Sequence, residues 1–169
     1  MAVVSSAEAG LSAIQKGATI LQLRAHSLTA RELEAQANLL VPKASVPVIV
    51  SSRCDVALAA GAAGVNLPAR DISIADARSL LGQRLVGRSV HSVEAARAAE
   101  TQGADFVIFG PVWASPSHPG QQPRGVSALV EVARAVRIPV IAIGGVTPER
   151  AQECTGAGAA GFAAITMFQ

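Results

Sequence analysis

The chain has no tyrosine, one tryptophan and four phenylalanines in 169 residues, which leaves almost nothing on which bases could stack. Its formal net charge is only +2. Nucleic-acid binders join a clustered basic face to stacking aromatics, and neither is present here. Cysteine is equally scarce. Cys54 and Cys154 stand alone, without CxxC or histidine-rich spacing, as buried thiols at helix starts or ends do. Half of the residues are hydrophobic, yet no uncharged apolar run approaches the ~20 residues that span a membrane. Met1-Ala-Val-Val-Ser-Ser puts no basic segment ahead of an apolar one, so it does not read as a secretory signal. These absences predict a cytoplasmic protein with neither nucleic-acid nor membrane partners, folded as one domain over residues 1–169.

What is present is a repeat. Short β-branched runs alternate with turns rich in Gly, Pro or Ser and with Ala- and Leu-rich segments of helical spacing. Strands are predicted at 20–24, 46–50, 64–66, 85–87, 106–109, 138–143 and 161–165, with an abbreviated first at 2–5. Their apolar residues run continuously, as in parallel strands buried on both faces. Thr29 and Glu32 form a capping box ahead of Leu33, Ala37 and Leu40. Ser92 caps a helix to Thr101 with Ala95, Ala96 and Ala99 on one face. Ser127 and Leu129 belong to a helix running to Val136, and Thr147-Pro148 opens another. Strict alternation implies right-handed crossovers and a parallel sheet. Eight strands predict an α/β fold, a (β/α)8 TIM barrel shortened at both ends, with an open doubly wound sheet as the alternative. A barrel without its last helix exposes apolar wall, which points to a second copy of the chain as partner.

In parallel α/β folds, ligands bind past the carboxyl ends of the strands. The residues there are Arg24, His26, Ser51, Ser52, Arg53, Asn66, Arg88, Ser89, His91, Gly110, Gly144, Gly145 and Thr166. They are polar, cationic or glycine, whereas the strands are apolar. Gly144-Gly145 before Thr147-Pro148 suits a phosphate, because close backbone approach and free N–H groups favour an anion. Ile165 and Thr166 are its predicted neighbours. Arg24, Arg53 and Arg88 suit phosphate or pyrophosphate oxygens, although Arg53 can instead pair with Asp55. His26 and His118 fall in loops, and His91 opens a helix. Any of them can move a proton near neutrality. Asp71 either caps a helix beginning near Ile72 or binds magnesium.

With those residues placed, the chain resembles the thiamine-phosphate synthase/TenI family of barrels. The resemblance rests on Leu21-Gln22-Leu23-Arg24, Arg53 to Leu58, Gly64 to Pro68, Gly87-Arg88-Ser89-Val90-His91-Ser92, Ala104 to Val112 and, most specifically, Ile138 to Pro148. It implies a role in thiamine biosynthesis and a site for a phosphorylated thiazole or thiamine-type small molecule. Synthases of the family join hydroxymethylpyrimidine pyrophosphate to thiazole phosphate, with magnesium holding the pyrophosphate. Against their pattern, Gln22, Arg24, Asp71 and Ser89 match. His26 stands at a lysine position, Ser51-Ser52 replace Asn-Asp before Arg53, and Ser115-Pro116-Ser117-His118 replace Thr-x-Thr-Lys.

The TenI-like branch isomerises a thiazole carboxylate phosphate without a metal. Its segments Gly87 to Ser92 and Arg124-Gly125-Val126-Ser127 fit better. Its histidine is expected directly after Gly110, where this chain has Pro111, so His118 or His26 would move the proton. The expectation taken forward is a TenI-like thiazole tautomerase that needs no cofactor. Its alternatives are a thiamine-phosphate synthase using magnesium at Asp71 and a non-catalytic binder with a regulatory role.

Overall fold

Continuous apolar runs become strands, and the small-residue segments between them become helices. The computed structural model describes residues 1–115, 120 and 122–168. Its strands are β1 (Ala2–Val4), β2 (Leu21–Leu23), β3 (Val48–Ser51), β4 (Gly64–Leu67), β5 (Leu85–Val90), β6 (Phe106–Phe109), β7 (Val140–Ile143) and β8 (Gly161–Ala163). Between them lie α1 (Ala7–Gln15), α2 (Ala30–Leu40), α3 (Cys54–Ala59), α4 (Ile74–Leu81), α5 (Val93–Thr101), α6 (Gly125–Ala135) and α7 (Pro148–Gly156). The strand order is β1-β2-β3-β4-β5-β6-β7-β8, with parallel registers such as Gln22↔Ile49 and Phe109↔Ala142. A sheet in which each strand neighbours its successor across an intervening helix is the (β/α)8 TIM-barrel fold. The doubly wound alternative, whose strand order turns back on itself, is excluded. Among the described residues, no helix is long and apolar enough to cross a membrane.

Two compact units divide the chain: residues 1–86 with 168, and residues 87–167. In the first, Leu21, Leu23, Leu40, Val50, Val65, Leu67 and Leu81 form the buried core. Sequence pattern missed α1. Its buried face is Ala7, Gly10 and Ala13, too small to show as an apolar stripe. Gly10 lets Leu40 of α2 come close, and the Ala7 N–H donates to Gln36 Oε1 at 2.8 Å. The Thr29–Glu32 capping box forms as predicted, with Leu33, Ala37 and Leu40 buried. The helix after Asp71 does not start at Ile72. Ser73 caps α4 by accepting from the Asp76 N–H, so Asp71 is left outside the helix.

In the second unit the core is Val107, Phe109, Leu129, Val132 and Ala142. Strand β5 runs on to Val90, further than predicted, with Gly87 and Arg88 both buried. Ser92 caps α5 as expected, and Ala96 and Ala99 are buried, whereas Ala95 faces solvent. Helix α6 begins two residues before Ser127, at Gly125, whose positive φ of 81° only glycine adopts readily. Thr147 caps α7 with Pro148 at its first turn. Strand β8 stops at Ala163, and Thr166–Phe168 form a single 3₁₀ turn.

Gly64 is the tightest backbone approach in the first unit, since a Cβ there would run into the carbonyl of Leu85. Relief requires moving backbone rather than a side chain. Gly64→Ala is therefore expected to lower stability by about 1–3 kcal/mol, read as a lower urea midpoint with an unchanged m-value.

Candidate functional site

In the first unit, the polar residues at and past the ends of β2 and β3 form separate hydrogen-bonded pairs. Gln22 lies within β2, nearly fully buried, and its Nε2 donates to Ser51 Oγ at 3.3 Å. Arg24 follows β2, where its N–H donates to the Val4 carbonyl. Its side chain is half-buried, and burial pushes its pKa down. Among the described residues, no acid or hydrogen-bond acceptor engages its guanidinium. A desolvated cation without a protein counter-charge is unfavourable until an anion arrives. His26, two residues on, is exposed.

Ser52 adopts a left-handed backbone, with φ 68°, which is rare for a residue with a Cβ. That turn aims its hydroxyl at Asp71, whose Oδ2 accepts from Ser52 Oγ while Oδ1 accepts from the Ile72 N–H at 2.7 Å. Magnesium binds through one or two carboxylates plus substrate oxygens. Here both oxygens of Asp71 already accept from protein donors. Among the described residues, no group of three or more His, Cys, Asp or Glu could hold a metal ion. Asp71 is a single carboxylate with one protein donor on each oxygen, and magnesium there would need its remaining ligands from substrate or water.

Arg53 takes the alternative its spacing offered. Its Nε donates to Asp55 Oδ1 at 2.8 Å and its Nη2 donates to Oδ2. This fork holds the Asp55 carboxyl down to about 2. The cysteines are the buried thiols expected, and burial raises both pKa values, so neither is a ready thiolate.

In the second unit, Gly144 and Gly145 follow β7 with φ of 97° and 66°. The reason for glycine is steric as well as conformational. A Cβ on Gly144 would lie 2.7 Å from Pro111 Cα, and one on Gly145 would lie 2.5 Å from the Ala114 carbonyl oxygen. A side chain added at Gly145 would therefore press into the segment after β6 rather than fill open ligand space. Ile165 is half-buried and Thr166 exposed just past β8, which is registered beside β7 through Ile143↔Ala163. Arg88 is buried within β5 and Ser89 half-buried beside it. Gly110 is buried and joined to Pro111 by a cis peptide. Ser115 is half-buried. Pro116, Ser117 and His118 lie outside the described residues.

Two features were not assigned from sequence. His91 Nδ1 lies 2.5 Å from the Gly110 carbonyl, an acceptor only, so Nδ1 carries a proton. The ring lines a cavity of about 290 Å³ with Pro111, Gln122, Pro123 and Arg124. The other feature is Arg150 in α7, whose guanidinium sits 5.2 Å from the centroid of Trp113. Helical periodicity carries no signal for either contact, because each joins residues from separate elements.

The Arg53–Asp55 pair is solvent-exposed, so it contributes at most about 1 kcal/mol and is screened by salt. Because the folded carboxyl titrates near 2, below its unfolded value of about 3.9, that contribution is complete above pH ~4. It fades as pH falls and is gone below about 2. Unfolding of wild type and Asp55→Asn should therefore differ by under about 1 kcal/mol at pH 7 and coincide at pH 2.

Comparison with known proteins gives one consistent answer. Residues 4–168 match the thiamine monophosphate synthase family, TMP-TENI. The chain is 44% identical over 158 residues to the thiamine-phosphate synthase of Anaeromyxobacter dehalogenans, covering 91% of this chain and 71% of the relative. It is 41% identical over 159 residues to that of Chlorobium luteolum, covering 91% and 75%. The solved thiamine phosphate pyrophosphorylase from Pyrococcus furiosus superposes with a TM-score of 0.88 at 31% identity, covering 98% of this chain and 84% of that one. With the fold and these likenesses in agreement, the chain belongs to the thiamine monophosphate synthase family.

Proposed function

We propose that this chain is a transferase of thiamine biosynthesis, a thiamine-phosphate synthase that joins hydroxymethylpyrimidine pyrophosphate to thiazole phosphate and releases pyrophosphate. The observation that carries the reading is Arg24, a half-buried guanidinium past β2 with no acid beside it among the described residues, in a chain whose relatives are thiamine-phosphate synthases. Charge builds up on pyrophosphate as its bond to the pyrimidine carbon breaks, and a preorganised cation stabilises that charge without reorganising. Arg24 takes this role, supported by Gln22. Arg53 is committed to Asp55, and no step is assigned to magnesium. Gly144, Gly145, Ile165 and Thr166 hold the thiazole phosphate through backbone groups.

One observation favours a second reading, the thiazole tautomerase. In its neutral form His91 has its tautomer set by the Gly110 carbonyl, and its Nε2 is left to take a proton in the cavity that Arg124 also lines. Like His26 it is exposed, but its ring is held by a protein carbonyl. Replacing it separates the two reactions.

With both substrates and magnesium supplied, the wild-type protein is expected to release pyrophosphate. Arg24→Met should lower kcat/KM by about 10–100-fold, the loss of one charge-assisted contact. His91→Ala should leave pyrophosphate release within about twofold, as a side chain outside the reacting groups does. Aromatisation of the thiazole carboxylate phosphate that His91→Ala abolishes, without pyrophosphate release, would establish the tautomerase instead. Binding of thiazole phosphate with neither reaction would leave the non-catalytic binder.

A further inference from the structure

The diglycine turn after β7 spends its carbonyls in an unusual way. The Ile143 carbonyl accepts from the Val112 N–H at 2.9 Å, and the Gly144 carbonyl from the Trp113 N–H at 3.0 Å. The Gly145 carbonyl accepts from Arg150 Nη1 at 2.8 Å. Three successive carbonyls are thus held by the segment after β6 and by one side chain of α7. A trans peptide is planar, with its N–H directed opposite its C=O. Holding those carbonyls therefore turns the N–H groups of Gly144, Gly145 and Val146 to the other edge of the turn. Among the described residues, none of these three N–H groups has an acceptor. Consecutive N–H groups arranged in this way form an anion-binding concavity.

Arg150 is the one side chain in this set. It is half-buried, and its guanidinium lies 5.2 Å from the Trp113 ring centroid while Nη1 reaches the Gly145 carbonyl. Its own backbone N–H is occupied by Thr147 Oγ1, the cap of α7. The guanidinium is thus fixed at its root by the helix start, on its face by an indole and at its tip by a carbonyl. Such a fork is preorganised where an ammonium would be free to turn.

We propose that Arg150 is a positioning residue for the phosphate turn. By clasping Trp113 and the Gly145 carbonyl together, it fixes the peptide plane that presents the Val146 N–H to the phosphate. The idea rests on the reading that this turn holds phosphate. It adds that the affinity depends on a side chain acting through the backbone, and on the indole beneath it.

The test is titration of the intact protein with inorganic phosphate and with thiazole phosphate, followed by steady-state kinetics. Arg150→Met should weaken phosphate binding by about tenfold, the size of one lost charge-assisted contact. KM for thiazole phosphate should rise with it, and kcat should stay within about twofold, as loss of uniform binding requires. Trp113→Ala keeps the charge at 150 but removes the ring that holds it, and should weaken binding similarly, with the double variant no worse than either single one. Trp113→Phe, which keeps a π face and guards against a variant that fails to fold, should remain near wild type. If wild type binds phosphate while Trp113→Ala binds it equally well, Arg150 acts only as a distant charge and the clasp is overturned. Equal binding by Arg150→Met overturns it as well. If wild type binds neither probe, the phosphate reading of the turn fails first and takes the clasp with it.

Discussion

In β2, β4 and β6 every residue is buried, and the ladder consumes their backbone hydrogen-bonding groups. A strand closed in on both faces cannot host water or a ligand along its length. Reactive groups are left the first few positions past its carboxyl end, where side chains again meet solvent. The placement of Arg24, Ser51, Ser52, Gly110, Gly144 and Ile165 follows from that confinement. Even the polar residues inside strands obey it, since Gln22 spends its amide on Ser51 at the neighbouring strand end.

Local pairing then decides which strand-end groups remain available. Asp71 is taken by Ser52 and Ile72, and Arg53 and Asp55 satisfy each other. Arg24 is different. It is partly withdrawn from water and faces no acid among the described residues. A strained backbone at Ser52 has a plain local use here, because the left-handed turn brings the hydroxyl onto the carboxylate.

Alternation of apolar runs with small-residue helices made the fold legible, and Thr29 with Glu32 or Thr147 with Pro148 marked helix starts to the residue. Helix α1 escaped because alanines and a glycine bury little apolar area yet pack closely, as Gly10 does on Leu40. The far half of β5 escaped because Arg88 and Ser89 read as a loop, although both lie in the ladder. Residue type and position past a strand singled out Arg24 and the diglycine turn as candidates. They could not say whether Arg53 faces a ligand or Asp55, since both outcomes suit the same spacing. Contacts between loops, such as His91 with Gly110, leave no periodic trace at all. The glycines at 144 and 145 read in sequence as room for a ligand, whereas the fold gives them a cause of their own, the press of Pro111 and Ala114.

The lone indole has a practical consequence. With one tryptophan and no tyrosine in the chain, nearly all of its near-ultraviolet absorbance and emission arises at residue 113. That chromophore sits in the segment packed on Gly144 and Gly145, with a cation 5.2 Å from its ring centre. The protein therefore carries a built-in optical probe beside the diglycine turn, and its spectrum reports on that turn almost alone.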